Sequence, residues 1–584
     1  MSRHEARVFL FLTGSFFIVW MAATLVLSAL GFSLGYKLSW WQCPAGLAPA
    51  AAVLVVAAKK LLPGAAKKTA SAGLAAILAL TAASVLIASF FIDTSYDGRA
   101  YHQNTVIQLA TGWNPFERPL EPDGRSGTYE PLPRSPWTVH FPKSAETNAA
   151  ALYKLTGLIQ TGKAFNLMLL YSAFALTLYA LLGMEGVRFR SALLFAGLAA
   201  LNPVAVCTLH SYYVDGHMAS LLTSLFALVV VLWREKGLWP LAALGPALVL
   251  TINTKFPGLG YAFFLSGGLL AGLLLRKARR RLLAAGAVCL LAGVIGFGGA
   301  GYNPYLTNWR HFGHPLHPAY GPRSFPEEEM IRFLSIPPNL ADKNRFEKFF
   351  ISLMSRSDYL AYPKPARLKI PFTVTAEEVA RFGGTTIRAG GFGPLFGGIF
   401  LLILPVLAAA FFLDKKLAGP HLGFAALLGL TIFINPQAWW ARLTPQVWLL
   451  PLAFLFFLTS LGPRRKAARP LAVILLTLTL INLGLVMGSS AVQQTARTLA
   501  LRWRLELLSA SGRLILLQPG PFHSTRVLLA ERGIPYREID VLPAEAKTRT
   551  LGPGVKFAYA DGGDPDEGSP DRAHSPKDRR GGAP

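Results

Sequence analysis

Thirteen stretches of this 584-residue chain are apolar over most of a bilayer's depth, and that limits the fold more than any motif does. They fall at roughly 7–31, 42–58, 70–92, 164–182, 191–207, 218–233, 238–253, 257–275, 282–301, 393–413, 420–435, 447–462 and 470–488. Backbone polar groups in hydrocarbon must be satisfied inside the segment, so uninterrupted apolar runs of this length become helices. Only 15% of residues are charged, where soluble domains carry about 25%. The sequence therefore predicts an all-α polytopic membrane protein of about 13 transmembrane helices, with external loops and a small C-terminal α/β extracytoplasmic unit.

The net charge of +26 would point to nucleic acid in a soluble protein, but its placement gives another meaning. With "MSRHEAR" in the cytoplasm, alternate connections read "KKLLPGAAKK", "GMEGVRFR", "REKG", "RKARRR", "DKK" and "PRRKAAR". Together with the N-terminus they hold twenty-one Lys and Arg, and the short connections on the other face hold three, Lys37, Lys255 and Arg442. That is the positive-inside asymmetry. It puts the N-terminus in the cytoplasm and the C-terminus outside, in a plasma membrane such as the bacterial inner membrane, with no nucleic-acid partner. Cys43, Cys207 and Cys289 lie in or beside apolar runs without paired spacing, so neither a disulfide framework nor a zinc site is expected. The first run is long and has no small-residue cleavage site, which reads as a retained anchor.

This topology divides the chain into N-terminal spans (1–92), a first external loop (93–163), a central set of spans (164–301), a second loop (302–392), C-terminal spans (393–488), an extracytoplasmic unit (489–560) and a disordered tail (561–584). Within the first loop, "NAAALYKLTGLIQ" is amphipathic and reads as an interfacial helix. The second loop carries the acidic-to-aromatic "EEEMIRFL". In the C-terminal region "QQTARTLALRWRLELL" reads as a helix, and "RLILLQ", "TRVLLAERG" and "YREIDVLP" as strand, helix and strand.

Chemistry concentrates where the spans leave the membrane. Asp93 and Asp97 follow the third span in "FFIDTSYDGRAYHQNTVIQLATGWNPF". If that helix continued one turn, the two carboxylates would share a face. They would then suit a divalent cation (Mg or Mn), or a general base with an orienting partner; a solvated helix exit followed by a "SYDG" turn also accounts for them. Tyr101 and His102 follow one turn later. An acid at the exit of an early span, followed by an aromatic-rich helix in the first external loop, resembles the GT-C superfamily of polytopic glycosyltransferases. The similarity is to the protein O-mannosyltransferase and lipid A aminoarabinose transferase branches, and it covers the topology and this loop. Asp97-Gly98 stands where those families have Asp-Glu, so the second acid is missing and Asp93 is the substitute at hand. The resemblance implies a lipid-phosphate-linked sugar donor, inverting transfer at the external face, Asp97 as catalytic base and Asp93 as helper or metal ligand.

Four further constellations carry charge at the external rim. "LHSYYVDGHMASLL" places His210, Asp215 and His217 at the head of the sixth span, as a helix cap or part of a cavity. Lys255 sits alone in "NTKFPG" between two short spans. It either snorkels to the interface or meets a phosphate headgroup, since an intramembrane cation is costly. In "NPQAWWARLTPQVWLLP", Trp439 and Trp440 read as an aromatic belt, and Arg442 runs against the positive-inside trend as a phosphate contact. "YNPYLTNWRHFGHPLHP" offers Arg310, His311, His314 and His317; its prolines exclude a zinc triad on one helical face, leaving a substrate-binding loop.

Phosphate-loop, nucleophile-elbow and HExxH signatures are absent. The expected activity is a GT-C-type hexosyl or pentosyl transfer from a polyprenyl-phosphate-linked donor to a hydroxyl of a glycolipid, glycan or protein. Two alternatives are a transporter or lipid-linked glycan flippase, and an oligosaccharide ligase or polymerase. Ionisable residues at the rim rather than mid-span weigh against transport.

Overall fold

A computed structural model describes residues 2–117, 136–326, 334–359, 363–413, 415–461, 468–522 and 524–562. Among these, eight helices are long and apolar enough to cross a membrane: Arg3–Ser33, Gln42–Leu61, Ala66–Phe90, Ile159–Leu182, Asp215–Arg234, Pro257–Leu275, Arg279–Gly299 and Ala468–Ser511. Five shorter apolar helices, Phe189–Ala200, Leu241–Thr254, Phe396–Val406, Gly419–Phe433 and Pro445–Ser460, fall at the remaining expected positions. The expectation of thirteen full spans is thus met by eight, with apolar but short helices at the other five. The basic "PRRKAAR" (up to residue 467), most of "EEEMIRFL" and nearly all of the Gly- and Pro-rich tail lie outside the described residues.

Two compact units are present, one up to Ala496 and one from Arg497. In the first, the Asp215–Arg234 helix is central. Of its most apolar window 89% is buried, against 17% for Arg279–Gly299, whose apolar side chains face outward. A helix apolar all round belongs inside a bundle, and one left uncovered here needs lipid as its solvent.

The connections sort into two groups at opposite ends of that central helix. At one end Arg3 donates from Nε to the Leu182 carbonyl (3.1 Å) and from Nη2 to that of Val187 (2.9 Å). His4 meets the Leu61 carbonyl (3.3 Å), Arg7 pairs with Glu235, and Arg281 caps the Leu232 and Glu235 carbonyls. These are the basic connections. At the other end meet the residues after Phe90, the 209–214 segment, Lys255 and the 436–444 segment, the charge-poor connections. The alternation read from Lys and Arg counts is a packing relationship here.

Several local expectations are corrected. The third helix stops at Phe90; Phe91 is extended (φ −74°, ψ 133°), and helix resumes only at Tyr96, through a π-helical Gly98–His102 into Gln103–Thr111. Asp93 and Asp97 therefore do not share a helical face. The fifth span is broken, because the Asn202 side chain accepts from Val204 N–H with Pro203 at the first helical position, which starts a new helix. Ser144–Thr156, expected at an interface, packs its Ala149, Ala150, Ala151 and Leu152 against protein, on Gln103–Thr111. The last span and the helix expected after it are one, Ala468–Ser511.

The second unit has the expected strand, helix and strand, β1 (Ile515–Gln518), Thr525–Ala530 and β2 (Tyr536–Glu538), with β1 and β2 parallel. It adds a hairpin, β3 (Arg549–Gly552) and β4 (Val555–Tyr559), in sheet order β2-β1-β4-β3. Ile515, Leu517, Val555 and Phe557 are buried, the period-two face of a sheet.

Candidate active site

The charge-poor end of the bundle holds a connected cluster of charges. Arg442 Nη1 stands 2.8 Å from Asp97 Oδ2 and 3.8 Å from Asp215 Oδ2, and Lys255 Nζ donates to Asp215 Oδ1 (2.7 Å). Asp215 is 1% exposed, and the side chains of Arg442 and Asp97 are 12% and 19% exposed. Two cations and two anions alternate, which is the condition for burying charge at all.

Each member is held by a different element. Asp97 is N-terminal to the π-helical turn, and its N–H donates to Tyr213 Oη (3.3 Å). Asp215 begins the central helix, and Lys255 sits in extended backbone (φ −163°, ψ 151°) where Leu241–Thr254 ends. Arg442 lies in a 3-10 turn, Ala441–Leu443, whose Leu443 carbonyl accepts from Tyr261 Oη and from Asn435 Nδ2 (3.2 Å). Asn202 Nδ2 donates to Pro445 O (2.7 Å), and Trp448 Nε1 to Leu198 O (2.7 Å), so buried bonds fix the turn on both sides.

Aromatic rings wall the cluster. The Arg442 guanidinium carbon lies 4.1 Å from the Trp440 ring centroid and 5.1 Å from that of Tyr213, and Arg388 covers Trp440 at 4.4 Å. Burial pushes the Asp97 carboxyl up, but Arg442, helped by His102 and Lys255, outweighs it and holds the group below the ordinary aspartate range. Burial works against the Arg442 charge too, and Asp215 and Asp97 overcome it, so the proton is held more tightly than in free arginine. Burial and then Asp97 raise both the Tyr101 and Tyr213 phenols, which keeps them neutral donors. Arg442 Nε and His217 Nδ1 are buried without a hydrogen-bond partner. Such groups are rare in proteins, and here they are spare polar capacity beside a cationic centre.

Behind Asp97 lies a second pair that the sequence reading missed. His102 Nδ1 is 2.6 Å from Glu146 Oε1, with side chains 3% and 5% exposed, and the His102 ring lies 4.3 Å from Tyr101 and 6.3 Å from Tyr213. Glu146 Oε2 is buried and unpartnered. Arg388 was missed as well.

No protein-family model matches this chain, and no curated protein does.

Asp97, Asp215, Lys255, Arg442 and Trp440 thus come together, with Tyr101 and His102 beside Asp97 and His217 in the first turn of the central helix. Asp93 does not join them. It is 2% exposed, its oxygens accept from the N–H groups of Ser95 (2.8 Å) and Tyr212 (2.8 Å), and its own N–H donates to Gln160 Oε1 (3.1 Å). Asp93 clasps two connections together, and its carboxylate is engaged by backbone amides where a base or metal ligand was expected. A divalent cation on Asp93 and Asp97 does not fit either, because one carboxylate is bound by backbone amides and the other by Arg442. Among the described residues no three His, Cys, Asp or Glu side chains are grouped to hold an ion.

Gly98 stands against the Asp93 clasp. A Cβ there would overlap Asp93 Oδ2 and Ser95 Oγ, so no larger residue fits while the clasp is in place. Arg310 and His311 are exposed on Thr307–Phe312 and bond to no member of the cluster. His317 instead packs on Phe312 (4.0 Å, stacked) and against His140 (4.8 Å), as loop structure.

Proposed function

We propose that the chain is an integral-membrane glycosyltransferase that moves a sugar from a polyprenyl-phosphate-linked donor to an acceptor hydroxyl at the external face. The supporting observation is the buried alternation of Asp97, Arg442, Asp215 and Lys255 between aromatic walls, with an unpartnered Arg442 N–H. A base, a fixed cation for a phosphate and ring surfaces for a sugar are what such a transfer needs.

The acceptor oxygen attacks the glycosyl carbon from the face opposite the phosphate. The new C–O bond forms as the bond to the phosphate oxygen breaks, and the electron pair leaves with the phosphate, which inverts the carbon. Asp97, ionised by its cationic neighbours, takes the hydroxyl proton, and the His102–Glu146 pair behind it, with Glu146 Oε2 unpartnered, offers the next acceptor for it. Arg442 and Lys255 meet the charge developing on the leaving phosphate; Arg442 has donors to spare because only Nη1 is engaged by the acids. Tyr101 and Tyr213, kept protonated, donate to sugar oxygens. No step runs through a metal.

The test is mass spectrometry of surface glycans and glycoproteins in cells lacking the protein, complemented with wild type or Asp97→Asn. The reading expects a missing sugar that wild type restores and Asp97→Asn does not, at equal membrane levels of protein. Unchanged glycans in the deletion strain, or full restoration by the variant, would sink it.

A further inference from the structure

The central helix has Asp215 as its first residue and Arg234 as its last; its 20 residues rise about 30 Å, one bilayer core. At the Arg234 end lies a cavity of about 440 Å³, lined by four of the shorter and longer apolar helices around it. Its walls are Leu181, Phe195, Phe226, Phe424 and Phe456, with Phe195 and Phe456 (5.1 Å) and Phe226 and Phe424 (5.4 Å) packed edge to face. Arg234 and Arg276 complete the lining. Both are exposed, and neither has a carboxylate or carbonyl partner among the described residues.

Other cations at this end, Lys236 and Arg280 among them, are also exposed, but these two are the ones that line the cavity. At the same end of the bundle Arg7 is bound to Glu235, and Arg3 and Arg281 to backbone carbonyls. Those three arginines serve the closure of the bundle, whereas Arg234 and Arg276 stand at the mouth of an apolar chamber. An apolar chamber of a few hundred Å³ with cations at one end complements an amphiphile whose headgroup is an anion. A soluble anion would have no use for the phenylalanine walls, and a neutral lipid none for the arginines. Thr177 Oγ1, also in the lining, is buried and unpartnered, a polar hook partway along the chamber.

We propose that this cavity is a binding site for one acidic phospholipid, its phosphate on Arg234 and Arg276 and an acyl chain between Phe195 and Phe226. Its arginine end is about 28 Å along the helix from Asp215 and its deepest lining residue on that helix, Thr223, about 12 Å; the proposal is independent of the glycosyltransferase reading.

Native mass spectrometry of the full-length protein, extracted from its own membrane and titrated with phosphatidylglycerol or phosphatidylcholine, tests it. One phosphatidylglycerol should be retained in preference to phosphatidylcholine. In Arg234→Gln/Arg276→Gln its retention should fall by about 30-fold, the effect of removing two cations from an acidic headgroup. Ala453→Phe, which fills the chamber with both arginines in place, should also release it. Equal retention of phosphatidylcholine by wild type, undiminished retention in the double variant, or preference for a polyprenyl phosphate would each overturn the proposal. The wild-type competition decides even where a variant does not fold.

Discussion

Arg442 and Asp97 are 345 positions apart in the chain, and their side chains meet at 2.8 Å. Nothing local links them; the Asn202, Tyr261 and Trp448 bonds that seat the Ala441–Leu443 turn deliver the guanidinium to a loop built from the first part of the chain.

Arg442→Gln leaves Asp97 and Asp215 close together with only Lys255 to offset them. Removing one partner from a buried charge network is expected to destabilise by about 3 kcal/mol. The thermal midpoint of the purified protein should drop clearly, and Arg442→Lys should recover only part of the loss, because a point charge cannot face both acids and Trp440 at once. An unchanged midpoint for the glutamine variant would show the pair to be dispensable.

Asp97→Asn should lower sugar transfer by about 10²- to 10⁴-fold, the usual contribution of a positioned base. Glu146→Gln should lower it less, because it disturbs the orientation of His102 and not the base itself. Transfer rates in isolated membranes, normalised to protein, separate the two; equal losses would merge their roles.

Two histidines outside the spans give a pH prediction. Burial is the main cause that pushes both His140 and His210 down to about 4, from an ordinary value of 6.5. The unfolded chain then takes up protons between those values while the folded chain does not. Stability is full above pH 6.5 and is lost as pH falls toward 4. Thermal midpoints measured across that window should decline, and the double variant His140→Gln/His210→Gln should decline less steeply.

Topology can be read with single cysteines. Lys236 belongs to the basic end and Tyr320 to the loop beyond the charge-poor end, and both are exposed. With the basic end in the cytoplasm, Tyr320→Cys labels in intact cells and Lys236→Cys only after permeabilisation. The reverse pattern would invert the molecule and place the charged cluster inside.

Much of the site was legible because charge at the rim of an apolar chain is conspicuous: Asp97, Asp215, Lys255 and Arg442 each stand nearly alone in their segments. Glu146 was not, since an acid in the first turn of an amphipathic helix reads as an ordinary complement to the helix dipole. Asp93 was misread for a related reason. From Leu74 to Ile92 the apolar run carries no Gly or Pro to announce that helix ends at Phe90, and the Tyr212 N–H that Asp93 binds lies 119 residues away. Arg310 and His311 looked equivalent to Arg442 by composition; only packing separates a cation on an open helix from one drawn inward.

Gly98→Ala offers a direct check on the clasp. The added methyl has no room beside Asp93 and Ser95, and overpacking of this kind costs about 1–3 kcal/mol. A variant with the wild-type thermal midpoint would show that the segment can yield.

The same crowding orders the routes open to this sequence over time. A chain that fastens this loop with Asp93 does not accept a side chain at position 98 by one replacement, because it would have to occupy the volume of the fastening itself. The clasp must be given up first, and with it the tie between the loop and the Tyr212 segment. A side chain at 98 and the fastening at 93 in this way exclude each other.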